Sequence, residues 1–94
     1  MSEGHDLARA QIAKHGKDRY PTVARQYAKV LDEAGELAEA LIDLADHRLP
    51  EFFEAAREEY ADLGLAYYEL GNKLGIDAIE AMRRLVERDK RTFT

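Results

Sequence analysis

Glu33 and Glu36 stand three residues apart, and Glu59 and Asp62 repeat that spacing further along the chain. Side chains three apart are neighbours on a helix surface, so each pair would present its carboxylates together. Carboxylate oxygens suit hard divalent cations, and Mg²⁺ usually keeps several waters that phosphate oxygens can replace. A single acidic pair in a glutamate-rich helix is ordinarily a solvated face. Two pairs become a candidate metal site only if the elements carrying them bring them to one height on one flank. Lys29, one turn before Glu33, can pair with it or meet a phosphate. Arg84, Arg88 and Arg91 form a further cationic stripe, which suits phosphate, open solvent or a helix C-terminus. His5, His15 and His47 lack ligand-like spacing and are read as surface residues.

The elements that must position these groups are helices. A first segment is expected from about Asp6 to His15, stopped by Gly16. Thr22 is a good N-cap for a long second helix reaching about Asp46. Its apolar residues Val23, Tyr27, Val30, Ala34, Leu37 and Leu41 alternate by three and four, the period of one helical face. After His47-Arg48-Leu49, Pro50 fits the first position of a third helix. That helix repeats Phe53, Ala56, Tyr60, Leu63, Tyr67, Leu70 and Leu74 before Gly75. Asp77 and Glu80 form a capping-box pattern that opens a fourth helix to about Arg91. Tyr27, Tyr60 and Tyr67 keep the core register. At about 100° per residue, Glu33 and Glu59 fall at the edges of their apolar stripes, with Glu36 and Asp62 further round the same flank. Ala40, Ala55 and Ala66 share those flanks and leave room. A short connection predicts that the two long helices run antiparallel, which puts the two pairs at similar heights and makes four carboxylates converge.

Composition agrees with one helical domain over residues 1–94. The chain has 46% hydrophobic and 35% charged residues, two prolines and no cysteine. Disulfides and thiolate zinc sites are thereby excluded. No apolar run approaches the roughly 20 residues that cross a bilayer, and the start has no signal-peptide character, so a cytoplasmic protein is expected. The net charge is −5, and between Asp32 and Glu69 twelve acidic residues face only Arg48 and Arg57. An acidic middle is wrong for a nucleic-acid groove, which needs a basic stripe, and right for cations.

Asp32-Glu33-Ala34-Gly35-Glu36-Leu37 resembles the Glu-Glu-x-x-Glu motif of the all-alpha MazG-type NTP pyrophosphatases. Glu59-Tyr60-Ala61-Asp62 resembles the Glu-x-x-Asp that follows it there. Leu74-Gly75-Ile76-Asp77, with Ala81 downstream, is similar to that family's entry into its last helix. The resemblance covers roughly Tyr27 to Phe93. It implies a four-helix bundle centred on two antiparallel helices. It also implies Mg²⁺- (or Mn²⁺-) dependent hydrolysis of a nucleoside triphosphate to the monophosphate and pyrophosphate. Glu33, Glu36, Glu59 and Asp62 would hold the metal. Asp32 stands where relatives carry a glutamate that can activate water, one methylene shorter. The positions at which relatives place a lysine and an asparagine against substrate read Leu85 and Asp89, and Asp89 falls on the apolar face of its helix. Lys29, Arg88 and Asp89 are the candidate substrate contacts.

A homo-oligomer is expected, a tetramer ahead of a dimer, because so small a domain buries its surface inefficiently. Leu65 and Tyr68 point off the main stripe and call for a partner. Two readings compete. A phosphoribosyl-ATP pyrophosphatase would share the acidic motifs but should carry a histidine soon after the second, where this chain reads Leu63-Gly64-Leu65-Ala66-Tyr67-Tyr68. A non-catalytic helical interaction module would bind no cation.

Overall fold

A computed structural model describes residues 2–93, with side chains for residues 2–89. The side chain of Arg91, which entered the reading of the last helix, lies outside that set. The chain is all-helical: α1 spans Glu3–His15, α2 Val23–His47, α3 Pro50–Leu74 and α4 Ala78–Phe93. The starts and stops follow local chemistry. Thr22 Oγ1 accepts from the Arg25 N–H at 3.1 Å, and Pro50 opens α3. Gly75 ends α3 in the left-handed region at φ 70°. Asp77 Oδ1 accepts from the N–H groups of Ile79 and Glu80, each at 3.1 Å. The Glu80 carboxylate turns forward to Arg84 at 3.0 Å.

α2 and α3 pack antiparallel. Gln26 near the start of α2 donates to the Ala66 carbonyl at 2.9 Å, while Glu33, one heptad on, meets Glu59, one heptad back. The seam runs through Gln26, Val30, Glu33, Leu37 and Leu44 on α2, and through Phe52, Ala56, Glu59, Leu63 and Ala66 on α3, all buried or half-buried. This register is rotated from the expected one. Tyr27, Leu41, Phe53 and Tyr60, read as core, lie at the surface, with Tyr60 70% exposed. The cause is the width of the apolar stripe: one half packs within the chain and the other half is left over.

α1 begins earlier than its sequence suggests, because its first turn is held from afar. Tyr68 lies over Gly4, where a Cβ would come within 2.4 Å of its ring. His5 is fully buried, which corrects its reading as a surface residue. Its Nδ1 meets Asn72 Oδ1 at 2.7 Å, and its Nε2 accepts the Ala78 N–H at 2.8 Å. Leu65 and Tyr68 thus face α1 of the same chain.

α4 departs from the expected bundle. Among the described residues it is packed along none of the other helices. Its apolar residues Met82, Leu85 and Val86 are exposed, and their face has no counterpart among the described residues. The outline is correspondingly broad and flat, 43 × 41 × 22 Å. The radius of gyration is 15.6 Å; about 12 Å is usual for this length.

Candidate metal centre

The α2–α3 seam carries carboxylates where a core would carry methyl groups. Glu33 is only 4% exposed. It stands on the same face as Gln26 and Leu37, so the packing that buries those residues buries it as well. Glu33, Glu59 and Asp62 each offer an oxygen, and the three oxygens lie within 4.8 Å of one another. Glu36 joins from its exposed position by sharing a hydrogen bond with Glu59. All four residues of the two pairs are therefore brought together, three as potential ligands of one ion and the fourth beside them.

The electrostatics are those of a crowded anionic site. Desolvation pushes the Glu59 carboxyl above its ordinary value, aided by the hydrogen bond to Glu36 and the charges of Glu36, Asp62 and Glu33. Glu33 Oε1 is met by the Lys29 ammonium one turn earlier. The hydrogen bond to Glu33 holds the Lys29 ammonium above its ordinary value, against the opposing effect of burial. Two buried oxygens, Glu33 Oε2 and Glu59 Oε2, have no hydrogen-bond partner among the described residues. Buried polar atoms are nearly always partnered, so two orphans in one cluster mark a place built for something else. A hard cation satisfies that donor set; an apolar ligand does not.

The remaining candidates are placed differently. Asp32 is exposed and outside the triplet. Arg88 and Asp89 are exposed on α4 and pair with each other at 3.3 Å. Neither lines the cavity that opens beside the cluster. Lys29 does line it.

Sequence reasoning missed a polar network that fixes this region. Lys73 Nζ reaches Asp18 Oδ2 at 3.0 Å, Gln26 Oε1 at 3.2 Å and Glu69 Oε1 at 3.3 Å. Asp18 also accepts the Tyr20 N–H at 3.0 Å. Burial raises its carboxyl, but the Lys73 hydrogen bond, that from Tyr20 and the Lys73 charge together leave it below the ordinary value. The available signal was the seven-residue spacing of Gln26 and Glu33, which puts two polar side chains on one stripe. Compared with protein families, curated proteins and solved structures, the chain has no match.

Proposed function

We propose that this chain is a divalent-cation-dependent pyrophosphohydrolase of nucleoside triphosphates, using Mg²⁺ or Mn²⁺ and acting as a homo-oligomer in the cytoplasm. One observation carries the reading: two orphaned buried carboxylate oxygens, Glu33 Oε2 and Glu59 Oε2, in a triplet of converging acids. The order of acidic motifs supports the reaction class. Glu33, Glu59 and Asp62 would hold the cation, with Glu36 steadying Glu59. A bound cation would offset phosphate charge and polarise the anhydride, so little covalent chemistry falls to the protein. Hydrolysis consumes one water and splits a nucleoside triphosphate into monophosphate and pyrophosphate. Lys29 pairs with Glu33 and holds it in place. Asp32, next to the cluster in sequence and open to solvent, is the candidate acceptor of the water's proton.

Surface left uncovered supports the homo-oligomer. Leu31, Leu41, Phe53 and Tyr60 form an apolar face along α2 and α3, each about half exposed or more. The accessible surface is 7068 Å². A folded monomer of this mass exposes about 5,500 Å², and the excess exceeds the roughly 800 Å² that each partner gives to a stable interface. A second copy, carrying the same face, fits it by symmetry.

The test is a screen of nucleoside triphosphates with and without Mg²⁺, read by pyrophosphate release. Pyrophosphate with monophosphate, lost on Glu33→Gln, is the expected result. Release of single phosphate would move the protein to another reaction class. No turnover from a folded protein that also binds no cation would remove the reading.

A further inference from the structure

Beside the carboxylate cluster lies a cavity of about 270 Å³, walled by α1, the α1–α2 loop, α2 and α3. Glu33 and Asp62 stand in its lining, so it opens directly onto the metal centre. Lys17, Arg19, Tyr20 and Lys29 line it as well, and Ala8, Ile12 and Leu65 supply apolar wall.

The charges of this lining do not cancel evenly. Glu33 is paired with Lys29, and Asp18 and Glu69 share the single charge of Lys73. Asp62 is left at the metal end. Lys17 and Arg19 are left in the loop, without an ion pair among the described residues. Once a divalent cation sits at the cluster, it would offer coordination positions to phosphate oxygens there, while Lys17 and Arg19 offer positive charge in the loop, an arrangement that suits an extended anion. The loop that carries the two cations is fastened at its middle: Asp18 binds Lys73 and accepts the Tyr20 N–H. Lys17 and Arg19 flank that anchor, so they are presented from a fixed stretch of backbone.

We infer that this cavity takes the phosphate chain of the substrate, with Lys17 and Arg19 binding the phosphates that leave as pyrophosphate. The inference rests on the metal-dependent reading above and assigns contacts it leaves open. The volume argues for the chain rather than the whole nucleotide. Pockets for complete small ligands run from roughly 300 to 1,000 Å³, so the base and sugar sit outside or at the mouth. The ligand class is a compound with at least two linked phosphates.

The test uses inorganic pyrophosphate as probe, titrated by calorimetry into the full chain with saturating Mn²⁺. Lys17→Met with Arg19→Gln removes the charges and keeps the stems. Losing charge-assisted contacts should weaken pyrophosphate binding about tenfold or more. Mn²⁺ binding measured without pyrophosphate should not change, and Arg84→Ala on α4 should leave both affinities intact. Unchanged pyrophosphate affinity in the double variant, or a wild type that binds Mn²⁺ but no pyrophosphate, overturns the inference. Failure of the wild type to bind Mn²⁺ at all overturns the metal reading beneath it.

Discussion

Glu59 has an oxygen without a partner and three acidic neighbours, so in the metal-free protein its charge opposes folding. Glu59→Gln should raise the metal-free melting temperature by a few degrees and remove most of the rise caused by Mg²⁺, which stabilises only the state that binds it. Equal Mg²⁺ shifts in both proteins, at matched ionic strength, would count against the site. The same crowding sets a pH dependence. The folded protein holds the Glu59 proton more tightly than the unfolded chain does. Stability therefore falls as pH rises from about 4.3 through the raised value, and recovers on acidification. Asp18 and Asp77 act oppositely. The hydrogen bonds from the N–H groups of Glu80 and Ile79 hold Asp77 below its ordinary value, and Asp18 is lowered too. Their contribution is whole above about pH 3.9 and is lost as the pH falls further. Melting temperature against pH, without metal, should peak in mild acid, and Mg²⁺ should flatten its alkaline side. Lys29 supplies the Glu33 counter-charge meanwhile. Lys29→Met should cost the metal-free protein about 2–3 kcal/mol, less than for a fully buried pair because Lys29 is partly in water. It should enlarge the stabilisation by metal, a comparison that paired thermal melts provide.

At the scale of the helix, His5 is the pin. Its Nδ1 bonds to Asn72 on α3 and its Nε2 accepts from the first N–H of α4, so one ring joins three helices. His5→Ala should cost about 2–4 kcal/mol, from the vacated volume and the stranded N–H. Amide exchange should quicken most between Ala78 and Met82, and uniform exchange would deny the pin its role. Such a residue was illegible in the sequence, because its partners lie 67 and 73 positions away. What was legible was local: Thr22, Pro50, Gly75 and Asp77 mark their boundaries through backbone groups within a turn. The acidic pairs were legible as well, since their spacing within each helix and the short connection between helices determine where they meet. The seam's register was not. Tyr27 and Tyr60 are apolar enough to read as core, whereas Gln26 and Glu33 occupy it, and pairwise packing decides between two faces of one wide stripe.

At the scale of the molecule, the apolar face of α2 and α3 and the unpaired flank of α4 leave more surface than one chain covers. Sedimentation at micromolar concentration should find a dimer or tetramer. Leu31→Lys with Tyr60→Lys should give a helical species of lower mass. A wild type that sediments as a folded monomer would reject the assembly. The exposed face has a consequence for anyone handling the protein. If burial of that face is completed only between copies, folding becomes subject to mass action, and the melting temperature climbs with protein concentration. The carboxylate cluster lies in the seam between the helices that carry this face. Dilution therefore loosens the site along with the assembly, and specific activity measured at nanomolar protein should fall below that measured at micromolar.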